Sequence, residues 1–125
     1  MDEKEIEHSK ENLIWSGTDY QNRSVSLYVA DRDHILDRHG EIMGNNFTAI
    51  YDTVENPDSV YESGEFDNRE VFFKKSTEAT YGQKFLTKAV VEYNENNTSG
   101  FIVTSLPTKK EGGNVGQRIY PKDKL

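Results

Sequence analysis

The sequence predicts an α+β domain in which two short N-terminal helices pack on an antiparallel sheet of about four to five strands. Helical periodicity is confined to the first half of the chain, where it follows one alternating run. After Pro57 the apolar residues recur at every second position in several short runs, as is typical of hairpins. Helices that precede a series of hairpins form a layer on one face of an antiparallel sheet.

Length and composition fit one small domain. The chain has 125 residues and only 34% hydrophobic residues, which predicts a thin core. Residues 1–12 lack apolar periodicity, so we expect a flexible acidic arm followed by a single domain over 13–125. No apolar run nears the roughly 18 residues of a membrane span, and the acidic start is unlike a signal peptide. We therefore expect a cytoplasmic protein without a membrane partner.

The charge is distributed unevenly along the chain. Residues 1–68 hold 16 acidic and 5 basic residues, a net of −11, whereas residues 69–125 hold 6 acidic and 10 basic, a net of +4. Affinity for nucleic acid comes from Lys and Arg, so the overall charge of −7 disfavours a nucleic-acid partner. The basic second half still permits weak, salt-sensitive RNA binding. The alternative interpretation is that the acidic residues of the first half simply keep the protein in solution.

Two helices are predicted after the alternating strand SVSLYVA. Asp31 or Asp33 can cap the first helix, which is expected to run to about His39 and to stop at Gly40. The second helix lies within NNFTAIYDTVEN and ends before Pro57. Its apolar residues fall at i, i+3, i+4 and i+7 and form one stripe: Phe47, Ile50, Tyr51 and Val54.

The sheet is predicted from the second half of the chain. VYES and REVFFKK form short strands joined by a turn at Asp67 and Asn68. QKFLTKAVVEY and FIVTS are the most apolar and β-prone segments, and we expect them to form the central hairpin. Pro107 is expected to end the second of these strands, with KKEGGNVGQ as a mobile loop and RIYP as a short final strand.

The segment HILDRH places His34, Arg38 and His39 in one short helix. RNA carries its own nucleophile, the 2′-hydroxyl, so metal-free cleavage needs a base, an acid and cationic donors at the phosphorane. Histidine suits both proton roles, and arginine is a strong phosphate donor. His34 and Arg38 are four residues apart and share a helix face, whereas His39 suits a packed or helix-terminal structural role. A polar helix without any chemistry is the alternative interpretation.

Other polar residues could complete such a site. Hydroxyls at the end of the most hydrophobic strand could bind phosphate, two lysine pairs could neutralise it, and a late tyrosine could stack on a base. These residues are Thr104, Ser105, Lys74, Lys75, Lys109, Lys110 and Tyr120. The histidines are five residues apart, less suited to a shared metal than the i, i+4 spacing. The chain also has no cysteine, so we expect neither a metal nor another cofactor.

Four motifs in one order carry a family resemblance: DHILDRHGEI, TVENPDSVY, REVFFKK and KAVVEYNENNTSGFIVTSLPTKK. Over about residues 31–121 the chain resembles the barnase/EndoU/colicin/RelE-like nuclease superfamily, especially its phage- or mobile-element-borne and toxin-type members. This resemblance implies metal-independent cleavage of RNA, often tRNA, that leaves a 2′,3′-cyclic phosphate. A toxin of this kind also requires an immunity or antitoxin protein as its partner.

The resemblance also implies which residues act. Its functional positions fall on His34 and His39 in the helix, on Thr104 at the strand end, and on lysines at 74 and at 109 or 110. Ser105, Leu106 and Pro107 follow the threonine where the family often has an aromatic residue, and the end reads RIYP where a tryptophan is common.

The predicted function is therefore a toxin-type endoribonuclease. His34 acts as general base or acid, Arg38 and Lys109 or Lys110 bind the scissile phosphate, and Thr104 donates to it. His39 is either the second proton carrier or a residue that positions the helix. The alternatives are a catalytically inactive relative that binds a protein partner, such as a phage accessory module, and a small domain of a larger polypeptide.

Overall fold

The structure is a computed structural model that describes residues 6–43, 47–75 and 85–121, without the side chains of 39–43. Within these residues a 3-10 turn at Lys10–Asn12 precedes a mixed sheet of seven strands and two α-helices. The order along the chain is β1 (Leu13–Thr18), β2 (Ser24–Tyr28), α1 (Val29–Met43), α2 (Phe47–Glu55), β3 (Ser59–Ser63), β4 (Arg69–Lys75), β5 (Leu86–Tyr93), β6 (Ser99–Thr108) and β7 (Val115–Tyr120).

The sheet has the strand order β1-β2-β6-β5-β4-β3-β7. All neighbours are antiparallel except β2 and β6, which are parallel over Ser24–Ser26 and Ser99–Phe101. The predicted fold, with two N-terminal helices on an antiparallel sheet of four to five strands, is therefore wrong. Two strands precede the helices, and the sheet is larger and mixed. β2 leads directly into α1, and the chain returns to the sheet only at β3. The partner of β2 is β6, which comes much later in the sequence, and this pair is parallel.

The first strand gave no sequence signal. β1 is an edge strand whose residues, LIWSGT, are mostly exposed, with only Trp15 and Gly17 partly buried. Trp15 stacks on Tyr51 of α2 at 4.4 Å between ring centroids, and Gly17 lies where an added Cβ would overlap the Trp15 ring. β1 is therefore attached to α2 mainly through the Trp15 ring. It lacks the alternating apolar pattern by which half-buried strands are recognised in a sequence.

The core lies between the sheet and the two helices. It combines residues of both helices with one face of five strands: Val25, Leu27, Ile35, Ile50, Val54, Val60, Phe72, Ala89, Val91, Tyr93 and Ile102. The predicted stripe of α2 is confirmed, since Ile50 and Val54 are fully buried and its two aromatic residues pack against the core. The predicted β5–β6 hairpin is also confirmed and lies near the centre of the sheet.

The predicted boundaries of three segments are wrong. α1 starts at Val29 and continues through Gly40 to Met43, because a helix interior tolerates one glycine at a cost of about 1 kcal/mol. β6 continues through Pro107, since β2 pairs only with Ser99–Phe101 and leaves this part of β6 with an unpaired edge. The segment predicted as a mobile loop contributes its last three residues, VGQ, to β7.

Candidate functional site

The sheet presents two faces, and the helices cover one of them. Ala89, Phe72 and Val60 form a row of paired residues on the covered face, within the core. Because successive residues of a strand point to opposite sides, their neighbours form rows on the other face, here called the outer face. By the same register the outer face carries Thr104, Val90, Val71 and Tyr61 in one row and Phe101, Glu92 and Arg69 in another.

Helix α1 carries the imidazole and guanidinium groups that the sequence singled out. It lies against β6 and β2, and Ile35, which is fully buried in the core, anchors it there. His34 and Arg38 on the same helix are exposed. The backbone of His39 belongs to α1, but its side chain lies outside the described residues, so its role stays a prediction.

Asp31 shows which side of α1 turns toward the outer face. Its Oδ2 lies 3.6 Å from Nε2 of His8, and the His8 ring packs on Phe101 of the outer face with 4.3 Å between centroids. At 3.6 residues per turn, Arg38 lies about 20° and His34 about 60° from Asp31 around the helix. Both side chains therefore start from the side of α1 that is nearest the outer face.

Thr104 and Ser105 point to opposite sides of β6. Thr104 is half-buried and pairs with Val90 on the outer face. Ser105 pairs with Ala89 and is fully buried, and its hydroxyl donates a hydrogen bond of 2.7 Å to the carbonyl of Lys88. The Ser105 hydroxyl is thus used within the sheet, whereas the Thr104 hydroxyl is on the outer face of the strand that α1 contacts.

The predicted lysines lie in two places. Lys109 and Lys110 are exposed in the bend that follows β6, and Lys75 is exposed on the outer face at the end of β4. Lys74 points the other way, because it pairs with the buried Thr87. Its Nζ donates to the carbonyl of Asn56 at 2.7 Å and lies 3.4 Å from a carboxylate oxygen of Asp52 in α2. The Lys74 ammonium group therefore binds to the C-terminal end of α2.

Tyr120 is remote from the other candidates. It belongs to β7, and three strands separate it from β6. Its ring packs on Tyr20 at 4.9 Å, beside the core. Among the described side chains, no hydrogen bond or ion pair joins His34 to Thr104 or to a lysine. The fold thus brings α1 to β6, which leads into the bend that carries Lys109 and Lys110, here called the lysine bend. Tyr120 and Lys74 are engaged elsewhere.

Lys88 is a cation of the outer face that the sequence analysis missed. It pairs with Leu106 and Phe73, and its Nζ donates to the carbonyls of Gly112 at 3.2 Å and Gly113 at 3.0 Å. Burial lowers the pKa of this ammonium group, and the Glu65 carboxylate partly offsets the effect. These bonds hold the segment after β6, which carries Lys109 and Lys110, across the sheet. The sequence signal for Lys88 was its position in β5 between Thr87 and Ala89, which are both buried.

A buried ionic cluster under the opposite end of the sheet was also missed. Arg23 donates from Nε to Asp19 at 2.7 Å and from Nη1 and Nη2 to the Glu70 carboxylate at 2.9 and 2.8 Å. Tyr93 donates to Asp19 at 2.6 Å, and Tyr20 donates to Glu70 at 2.8 Å. The guanidinium also lies 3.8 Å from the Tyr93 ring centroid. With all its members bonded, this cluster has the character of a structural element.

A cleft of about 500 Å³ opens beside this cluster. Its lining includes the carboxylates of Glu62, Asp67, Glu70 and Glu95 and the guanidinium of Arg69. Arg69 lies over the Phe66 ring and donates to a carboxylate of the outer face, that of Glu92, at 3.0 Å. The cleft is therefore acidic and repels phosphate, unlike the lysine bend after β6.

Comparison with known proteins finds no family model and no curated protein sequence that matches the chain. Within the described residues, no helix has both the length and the apolar character needed to span a membrane. Among the same residues, no three His, Asp or Glu side chains are grouped as ligands for one metal ion.

Proposed function

We propose that this chain is a metal-independent endoribonuclease of the toxin type that cleaves RNA, with tRNA as a candidate substrate, in the cytoplasm. One observation carries the proposal: α1, with its exposed His34 and Arg38, packs against the strand that bears Thr104 and leads into Lys109 and Lys110. The family resemblance of the motifs around these residues supports the same assignment.

The proposed reaction is an internal transfer. The 2′-oxygen attacks the adjacent phosphorus and the bond from phosphorus to the 5′-oxygen breaks, which leaves a 2′,3′-cyclic phosphate and a 5′-hydroxyl. A base removes the 2′ proton, and an acid protonates the departing oxygen. His34 takes one of these roles, and His39 takes the other or positions α1.

The remaining groups stabilise charge. Negative charge grows on the non-bridging oxygens in the transition state, where fixed cationic donors act most strongly. Arg38 and the lysine bend supply the cations, and the Thr104 hydroxyl donates a further hydrogen bond. Lys88 contributes by holding the bend in place through the Gly112 and Gly113 carbonyls. An immunity or antitoxin protein would cover this same surface.

The proposal is tested by incubating the purified chain with total tRNA in EDTA. We expect fragments that end in a cyclic phosphate, with a rate that falls at least 100-fold in His34→Ala, since one proton-transfer group contributes about 10²–10⁴-fold. Asp37→Ala, an exposed neighbour on another side of α1, is the matched control and should retain full activity. Well-folded wild-type protein that cleaves no RNA, or a His34→Ala variant with full activity, would contradict the proposal.

A second candidate function is a catalytically inactive module that binds a basic protein partner. The acidic cleft beside the Arg23 cluster favours it, because the carboxylates of Glu62, Asp67 and Glu95 outnumber the one guanidinium of the lining, that of Arg69. Substituting Glu62→Gln together with Glu95→Gln should abolish partner binding in that case and leave RNA cleavage unchanged in the other. The same double variant therefore loses its function if the chain is a protein-binding module and keeps it if the chain is a nuclease.

A further inference from the structure

The side chain of His8 covers two aromatic residues of the outer face. Its ring stacks on Tyr28 with 4.5 Å between centroids and 22° between planes, and it lies 4.3 Å from Phe101 at 57°. Nε2 of His8 also lies 3.6 Å from a carboxylate oxygen of Asp31. His8 is only about one-fifth exposed, although it precedes the first strand of the sheet.

The seat of this imidazole has the features of a nucleobase site. Tyr28 and Phe101 offer ring faces on which any base can stack. The Asp31 carboxylate lies at the ring edge, where it can accept a hydrogen bond from a base N–H as it faces Nε2 of His8. A recess of about 200 Å³ continues from the same rings past Ser99, Gly100 and Asn94.

The position along β6 links this seat to the proposed phosphate site. Phe101 and Thr104 both lie on the outer face of β6, although they are three residues apart, because the register with β5 shifts between Val90 and Val91 and adds one residue to β6. They are at most about 10 Å apart along the strand. An extended nucleotide spans such a separation, so a base on Phe101 brings its neighbouring phosphate toward Thr104.

The segment that carries His8 has the charge of a nucleic-acid strand. Residues 1–12 hold five acidic and two basic residues, a net of −3. A planar ring on an acidic chain presents the same two features as a base on its phosphate backbone. The His8 ring and an RNA base would therefore compete for one surface.

We propose that Tyr28 and Phe101 form a nucleobase-stacking subsite of the RNA groove, and that His8 occupies this subsite in the free protein as an intramolecular competitor. The inference rests on the proposed function for its ligand, an RNA base. It adds a binding position for a base, and it identifies His8 as the side chain that limits access to that position.

The test measures binding separately from cleavage. The probe is a fluorescein-labelled eight-nucleotide 2′-O-methyl RNA of mixed sequence, which lacks the attacking hydroxyl. His8→Ala should bind it about tenfold more tightly than the wild type, since a stacked aromatic contact is worth about that factor. Deletion of residues 1–9 should give the same gain. His8→Phe, the matched control, retains a ring in the seat and should show no such gain.

The platform is tested in the opened protein. Phe101→Leu added to His8→Ala keeps an apolar side chain but removes the ring, and should return the affinity to the wild-type level or below. An His8→Ala protein with native circular dichroism that binds no more tightly than the wild type would overturn the inference. So would a double variant that binds as tightly as His8→Ala alone.

These outcomes are distinguishable from failure of the proposed function. If His8→Ala tightens binding but no variant cleaves tRNA, the subsite stands and the nuclease does not. If tRNA is cleaved in a His34-dependent manner while His8→Ala leaves binding unchanged, only the subsite is overturned.

Discussion

Arg23 holds together two carboxylates that the fold removes from water. Asp19 and Arg23 are each no more than 6% exposed, and the Glu70 side chain is 15% exposed. Arg23→Met would leave both carboxylates buried without their cation, so we expect a loss of about 3–5 kcal/mol in the free energy of unfolding. Urea denaturation measures this loss.

The matched control for that substitution is Arg32→Met. Arg32 pairs with Asp33 at 3.2 Å, but both side chains are largely exposed, so the pair contributes less than about 1 kcal/mol. Equal losses in the two variants would show that the buried cluster is not the stabilising element inferred from its hydrogen bonds.

Tyr93 makes the free energy of unfolding vary with pH in the alkaline range. Burial, together with the hydrogen bond to Asp19, raises the pKa of its hydroxyl far above the ordinary value. Above about pH 10 the unfolded chain loses a tyrosine proton that the folded chain keeps, so the free energy of unfolding falls by about 1.4 kcal/mol per pH unit for each such group. The stabilisation is complete below this pH and is lost as the pH rises.

Tyr93→Phe tests that sign. The variant lacks one hydrogen bond and should be less stable by about 1 kcal/mol at pH 8. It also lacks the ionisable hydroxyl, so its stability should fall less steeply above pH 10 and the difference from the wild type should shrink. Urea midpoints at pH 8, 10 and 11 measure the difference. A difference that is constant or widens over this range would contradict the assignment.

Among the side chains of α1 that the structure describes, Ile35 holds the helix in the core. Ile35 is fully buried, whereas the next residue, Leu36, is 38% exposed. Ile35→Ala should reduce the free energy of unfolding by about 2–5 kcal/mol through lost burial and a residual cavity. Leu36→Ala removes a similar side chain and should cost less than about 1 kcal/mol. Comparable losses, measured by thermal or urea unfolding, would mean that α1 does not pack on the sheet by its Ile35 side.

Elements with a strong apolar pattern were predictable, and the others were not. The stripe of α2 and the β5–β6 hairpin are buried as their sequences indicate. The strand β1 was missed because it lies at an edge and is covered chiefly by Trp15, so its own residues do not alternate. The continuation of β6 through Pro107 depends on the extent of β2, which lies far away in sequence. The passage of α1 through Gly40 shows that a single glycine does not have to end a helix.

The candidate site shows the same division. The shared helix face of His34 and Arg38 follows from their spacing, whereas the opposite orientations of Lys74 and Thr104 follow only from the strand register. The Arg23 cluster joins residues up to 74 positions apart, so no local pattern in the polar loop TDYQNR indicates its partners. Short-range chemistry can be predicted from the sequence, and the tertiary partners cannot.

The whole molecule combines an acidic half and a basic half in one sheet. The two halves meet where β2 pairs with β6 and where β3 pairs with β4 and β7, since β1, β2 and β3 belong to the half with net charge −11 and the other strands to the half with net charge +4. If the proposed function holds, RNA is bound by few cations against a repulsive background. Binding should be weak at high salt and depend on the lysine bend.

Salt dependence measures how many cations take part. Four phosphate contacts, from Arg38, Lys75, Lys109 and Lys110, predict that affinity for single-stranded RNA falls about 50-fold between 50 and 200 mM salt. Lys109→Ala with Lys110→Ala leaves two contacts, and the fall should shrink to about sevenfold. Fluorescence anisotropy with a labelled 2′-O-methyl RNA gives both slopes. An unchanged slope in the double variant would place the RNA away from the bend.

The most direct test of the central claim uses one RNA cleaved by the wild type, synthesised again with a single 2′-deoxyribose at the cleaved position. Both substrates are incubated with the protein in EDTA, and cleavage is followed at that bond. Because the proposed reaction takes its nucleophile from the 2′-hydroxyl, the deoxy substrate should bind as well as the original and remain intact. Cleavage of both at the same bond would contradict this account.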